Sequence, residues 1–175
     1  MRRGTFFAPL TALFLLGVGC VELPGAPDDD PPEPDSPLGL LETFEWCYDR
    51  QDEGLYAELL DPAFTCILFP DQEYQGDEET PPEWGREQEL ARFADLCDAC
   101  GEGDIGLDLD PSGYGEPDPE DEEWLIPNVE YSLGVVFEDI TYLVGGRADF
   151  LTVRAEEGRW RLLELRGFER PELPL

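Results

Sequence analysis

The spacing of apolar residues changes period part-way along this chain, and that change restricts the fold more than any other feature. Ser36-Pro37 offers a helix N-cap with proline at the first helical position, and Leu40, Leu41, Phe44, Cys47 and Tyr48 follow at helical spacing. The spacing predicts a helix from Pro37 to about Arg50. A short second helix carries Leu55, Tyr56, Leu59 and Leu60 on one face and stops at Asp61-Pro62. Phe64 to Phe69 is a compact β-prone run ended by Pro70, and Asp71 to Glu83 reads as an acidic loop. Arg86 to Cys97 is helical again, with Leu90, Phe93, Ala94 and Cys97 inward. Beyond Cys97 the period falls to two. Ile105, Leu107 and Leu109 alternate with Gly106, Asp108 and Asp110. After an acidic, proline-rich loop from Pro111 to Glu123, Val129, Tyr131, Leu133 and Val135 alternate in turn. The phase slips at Glu138-Asp139, since Ile140, Tyr142 and Val144 fall on even numbers; such a slip marks a turn or a bulge. Arg147 to Arg154 and Arg159 to Phe168 flank Glu156-Glu157-Gly158, a hairpin connection. Helices first and an antiparallel meander second predict an α+β domain.

A chain of 175 residues suffices for one such domain. Its formal net charge is -31, from 42 acids against 11 bases, and every base is arginine. That field repels phosphate backbones and excludes nucleic acid as an expected partner. No cofactor is expected.

The N-terminal stretch predicts an address. Arg2 and Arg3 precede an apolar run from Phe6 to Leu16, which is short for a membrane span and suited to a signal peptide. Gly17, Val18 and Gly19 lead to Cys20. This resembles the lipobox of bacterial lipoproteins, in which the cysteine is lipidated and becomes the mature N-terminus. Gly17 departs from the pattern, which usually has leucine there. The resemblance implies a signal peptide over 1–19 and a lipid on Cys20. It also implies the outer membrane of the cell envelope, because Val21 is not the aspartate of the usual retention signal. Residues 20–36 hold five prolines, Pro24 to Pro34, among acids and show no hydrophobic period. They read as an extended, solvated tether that adds nothing to the stability of a domain over 37–170.

Four stretches, "LLETFEWCYDRQDEGLYAELLDPAFTCIL", "WGREQELARF", "ITYLVGGRADFLTVR" and "GRWRLLELRGF", resemble the nuclear transport factor 2-like, or SnoaL-like, superfamily in their order and spacing. The likeness spans roughly residues 38 to 168. It implies a curved antiparallel sheet wrapped around N-terminal helices as a cone, the cystatin-like arrangement. Enzymes of that superfamily work at the cone mouth with His, Asp and Tyr. This chain has no histidine. A steroid-isomerase-like arrangement would therefore need a carboxylate base with tyrosine donors, for which Tyr48, Tyr56, Tyr131 and Asp149 are the candidates. Each also has a plain structural place: Tyr48 and Tyr131 fit core faces, and Asp149 fits a solvent face. Near the end of the last strand, where family members often carry an aromatic and a carboxylate, this chain has Leu165 and Gly167.

Two further motifs need weighing. Cys97 and Cys100 form CxxC without a thioredoxin-like context. With Cys47 and Cys66 they allow two disulfides, expected outside the cytoplasm, or a four-thiolate zinc site. The favoured pairing is Cys47–Cys66 with Cys97–Cys100; its rival joins Cys97 to Cys47 or Cys66. "DLDPSG" matches the start of a calcium loop, which makes Asp108, Asp110 and Ser112 candidate ligands. The twelfth place is Pro119 and Pro111 lies inside the loop, so a solvated acidic loop is the stronger reading, and no metal is assigned.

Together these features predict a lipid-anchored, extracytoplasmic, non-catalytic module that binds a ligand or partner. The alternative is an isomerase- or dehydratase-type enzyme with a cone-mouth carboxylate and tyrosine. Cys20→Ser is expected to release the protein from membranes and to abolish metabolic labelling by palmitate; undiminished labelling would refute the assignment.

Overall fold

Ser36 caps the first helix as its sequence foretells: its hydroxyl accepts from the Gly39 N–H at 3.0 Å, and Pro37 opens helix α1 (Pro37–Arg50). In the computed structural model the described residues are 30–68, 83–101, 104–115, 117–118, 120–138, 140–155, 157–168 and 170. The chain divides into two units, Met1–Asp30 and Pro31–Leu175, and the elements below all belong to the second. Cys20, the signal-peptide stretch, the tether up to residue 29 and the acidic loop over 71–82 lie outside the described residues.

Helix α1 ends at Gln51, whose left-handed φ of 54° lets its N–H return to the carbonyls of Cys47 and Tyr48. Asp52 caps helix α2 (Glu53–Leu59) through the Leu55 N–H. Strand β1 (Leu60–Ile67) follows without a loop, earlier than the apolar run suggests. Pro62 is tolerated there because the pairing of β1 shifts register between Leu60 and Thr65, so proline's missing N–H costs no ladder bond. Strand β2 (Glu83–Gly85) runs directly into helix α3 (Arg86–Ala99). Strands β3 (Ile105–Asp110), β4 (Glu123–Phe137), β5 (Ile140–Arg154) and β6 (Trp160–Arg166) complete the chain.

The six strands form one sheet in the order β2-β1-β6-β5-β4-β3. All pairs are antiparallel except β1 with β6, which is parallel. The slip at residues 138–139 is the β4–β5 turn, with Glu138 at φ 54°. The sheet curls around α1, which buries Leu40, Leu41, Phe44, Cys47 and Tyr48 against Ile126, Leu133, Phe150, Leu162 and Leu165. At roughly 1.5–3 kcal/mol for each large apolar side chain removed from water, this interior is the main favourable term in folding. Among the described residues no helix is long and apolar enough to cross a membrane.

Residues 31–36 correct the expectation of a solvated tether reaching position 36. Pro34 is buried, and its carbonyl accepts from the Trp160 N–H at 2.7 Å. The Pro32 carbonyl accepts from the Thr43 hydroxyl at 3.1 Å. The strap lies so close to α1 that a Cβ on Gly39 would meet the Glu33 carbonyl oxygen at 2.7 Å. Proline suits this segment because its carbonyls still accept while no N–H is left over to bury.

Strand β3 is the edge of the sheet, and α1 covers it with acid. The Leu107 N–H donates to Asp49 Oδ1 at 3.2 Å, and the Leu109 N–H donates to Glu45 Oε1. One helical turn separates the two carboxylates and two residues separate the two N–H groups, so both bonds form together. Burial pushes the pKa of Glu45 up from its ordinary 4.5 to about 7. The Leu109 N–H opposes this, and the charges of Asp108, Asp49 and Glu42 add to it. Between 4.5 and about 7 the folded chain holds a proton that the unfolded chain has lost, so this site's contribution to stability falls as pH rises through that window. Glu45→Gln keeps the acceptor and removes the charge. Melting curves are expected to show a higher Tm for the variant at pH 8 and little difference at pH 5; a larger gain at pH 5 would overturn this account.

Candidate functional site: a buried arginine–glutamate–tyrosine cluster

Helix α3 faces the interior with Glu89, Phe93, Leu96 and Cys97, the i, i+4, i+7, i+8 stripe of a helix, with Leu90 only half-buried. The stripe therefore includes a carboxylate, and Glu89 is 1% exposed. Tyr56 of α2 donates its hydroxyl to Glu89 Oε1 at 2.6 Å, and Trp84 of β2 donates its indole N–H to Oε2 at 2.7 Å. The remaining partner arrives from beyond the last strand. Gly167 turns the chain with φ 76°, Phe168 enters the core, and Arg170 reaches back inside. Its Nη2 donates to Glu89 Oε1, to the Tyr56 hydroxyl at 3.0 Å and to the Tyr48 hydroxyl, while Nε donates to Tyr48 at 2.8 Å.

Aromatic rings wall this cluster. Tyr56 stacks on Phe93 at 4.0 Å, and Tyr48 meets Phe93 at 4.9 Å and Phe44 at 5.2 Å. The Arg170 guanidinium lies 5.5 Å from the Tyr48 ring centre and 6.0 Å from that of Phe168. The Arg170 side chain is 14% exposed, against 1% for Glu89.

Burial disfavours the ionised form of Glu89, but the Arg170 charge and the bonds from Tyr56, Trp84 and Arg170 outweigh it and hold its pKa below the ordinary value. Burial likewise raises both tyrosines, so they remain neutral, Tyr56 donating to Glu89 and Tyr48 accepting from Arg170. The Glu89 contribution to stability is full above the unfolded-state value of 4.5 and is lost as pH falls through the depressed folded value.

The sequence candidates divide. Tyr48 and Tyr56 meet at this cluster. Tyr131 is buried beside it, its ring 4.7 Å from Phe168 and its hydroxyl directed at the Gly167 carbonyl at 3.5 Å. Asp149 is elsewhere: its Oδ1 accepts from the Asn128 N–H at 2.7 Å, closing the bulge where β4 shifts register. Glu89 and Arg170 escape a reading of the sequence. The stripe spacing of Glu89 with Phe93 and Cys97 is the available signal for the first; nothing local marks the second.

Among the described residues no disulfide is present. Cys47, Cys66 and Cys97 are buried free thiols and Cys100 a half-buried one, so neither the favoured pairing nor its rival is formed. Burial pushes the Cys47 thiol up to about 12 and the Cys97 thiol to about 11, and it raises Cys66 and Cys100 as well. Protonated thiols are poor nucleophiles and poor ligands. Among the described residues no group of His, Cys, Asp or Glu could hold a metal ion. The calcium candidates are likewise drawn into structure: Asp108 lies on the exposed face of β3, and Asp110 Oδ1 accepts from the Ser112 N–H in the turn that leaves it.

A separate groove of about 270 Å³ lies outside the sheet, between α2 and the β5–β6 turn, with Leu55, Pro62 and Trp160 in its walls. Its arginines are engaged. Arg86 donates to the carbonyls of Ala57 and Leu60 at the end of α2, and Arg161 pairs with Glu157.

Comparison with solved structures places this geometry. A conserved protein from Planctomyces limnophilus superposes with a TM-score of 0.58 at 11% identity, over 75% of this chain and 91% of that one. A nuclear transport factor 2-like superfamily protein from Salmonella enterica gives 0.52 at 14%, over 77% and 88%. The fold is the nuclear transport factor 2-like cone. A ketosteroid isomerase-like protein from Erwinia carotovora shares the cone with a TM-score of 0.50 at 8% identity, over 74% and 89%. No protein-family model matches the sequence, and no curated protein matches it. At these identities the likeness carries the cone and none of its chemistry.

Glu89→Ala leaves a buried guanidinium without its counter-charge and is expected to cost about 3–5 kcal/mol, read from urea unfolding at pH 7. A loss within about 0.5 kcal/mol, typical of surface changes, would show that the pair does not hold the interior together.

Proposed function

We propose that this protein is a non-catalytic ligand- or partner-binding module, lipid-anchored through Cys20 in the bacterial cell envelope and held at the outer membrane. One observation carries the non-catalytic part: the inward carboxylate and both tyrosine hydroxyls are bonded by the chain's own Arg170. A general base must come within hydrogen-bond reach of a substrate proton with a free lone pair and a pKa near the working pH. Glu89 accepts from Tyr56, Trp84 and Arg170, and the Arg170 charge lowers its basicity. The chain has no histidine to serve as a base in its place. The anchor reading is supported by the cysteine after a short apolar run and by the acidic proline-rich stretch that follows. One lipid chain binds weakly, so the reading implies the multiple acyl chains usual for lipoproteins.

The enzyme reading is favoured by one feature, an inward carboxylate beside two tyrosines on aromatic walls, and it requires Arg170 to leave. Isomerisation of a β,γ-unsaturated ketone to its conjugated form, followed by ultraviolet absorbance, separates the two. The native chain and Glu89→Gln are both expected to react at the buffer rate. Native turnover well above buffer, lost in Glu89→Gln, would replace the binding reading with the catalytic one.

A further inference from the structure

We propose that the cone interior is a receptor for an alkylguanidinium group and that Arg170 is its resident, intramolecular occupant, whose place a ligand of the same chemistry can take. The proposal rests on the reading of this domain as a binding module and names the ligand chemistry of its interior.

Among the described residues the helices and strands end at Arg166, and Phe168 is the last buried apolar residue before Arg170. Arg170 brings one cation to this interior, and its Nε and Nη2 are met by oxygen acceptors. The floor is the carboxylate of Glu89, oriented by Tyr56 and Trp84 through bonds that do not involve Arg170. The wall is the Tyr48 hydroxyl, which accepts from both Nε and Nη2, the two-donor geometry of a planar fork and not of an ammonium. The Tyr48 and Phe168 rings face the cation. The Glu89 side chain is 1% exposed and the Arg170 side chain 14%, so the occupant's side chain, unlike the floor, is in part open to solvent. The lead that carries Arg170 past the end of β6 at Arg166 is short, and it starts at Gly167 with φ 76°.

An occupant on the same chain has a high effective concentration, so an outside ligand enters only when the tail withdraws. The site is thus closed by default. The chemistry fits two sources, a small alkylguanidinium and an arginine side chain of a protein partner.

The test uses Arg170→Ala and Arg170→Gln in the full chain, with ethylguanidinium chloride as the small probe and the peptide amide Gly-Arg-Gly as the arginine probe. Sodium chloride at equal ionic strength is the control. Ethylguanidinium at about tenfold its Kd is expected to raise the Tm of both variants by about 3–6 °C and to leave the native chain unchanged. Should a variant be unfolded at the start, recovery of its far-ultraviolet circular dichroism on adding the probe reads the same rescue. Adding Glu89→Gln to either variant is expected to abolish it. Rescue by ethylguanidinium alone assigns a small-molecule ligand; rescue by the peptide as well assigns an arginine of a partner. No rescue by either probe, or an equal rise in the native chain, overturns the proposal. Catalysis in the ketone assay would strike the binding reading and leave this result untouched.

Discussion

The ion pair of Arg170 and Glu89 is the interaction on which the interior depends. A cone lined by Phe44, Tyr48, Tyr56, Phe93 and Phe168 has little tolerance for a lone carboxylate, and α3 delivers one. Desolvating that charge alone would cost several kcal/mol. The guanidinium, two phenols and an indole offset that cost, and each polar group of the cluster is thereby bonded. The β2–α3 junction and Arg170 meet at the same carboxylate, since Trp84 and Arg170 both donate to Glu89.

How much of this can be read from the sequence follows from the range of each signal. Helix α1, helix α3 and the alternating strands β3 to β5 announce themselves because period and capping are local. The phase slip at Glu138 marks the β4–β5 turn for the same reason. The parallel pairing of β1 with β6 joins Leu60 to Leu162, and no local pattern encodes a contact across a hundred or so residues of chain. Glu89 and Arg170 are invisible for a related cause: in a chain with 42 acids, one more acid reads as solvated surface. The strap misleads in the other direction. Its prolines and acids argue for solvation, yet Pro32 and Pro34 are held by their carbonyls, which composition does not describe. The cysteines show the limit of counting: four thiols suggest bridges, and all four are free.

The acid of this chain is not all alike. Glu89 is ionised and paired, and Glu45 holds its proton up to about pH 7 beneath the β3 edge. Asp149 and Asp110 accept backbone N–H groups at a bulge and a turn. A surface reading of the net charge would place all of these in water. Their positions make acid a building material here, filling backbone donors that neighbouring strands leave open.

The strap also gives the domain a direction. Pro34 meets the chain at Trp160, where β6 starts, and Arg170 lies past Arg166, where it ends. Seven residues of strand separate these points by about 20 Å. Helix α1 repeats the polarity, with Pro37 beside the strap and Tyr48 at the cluster. Residues 31–36 and Arg170 therefore brace the domain at opposite ends of one strand, so β6 is pinned to the chain at both of its ends.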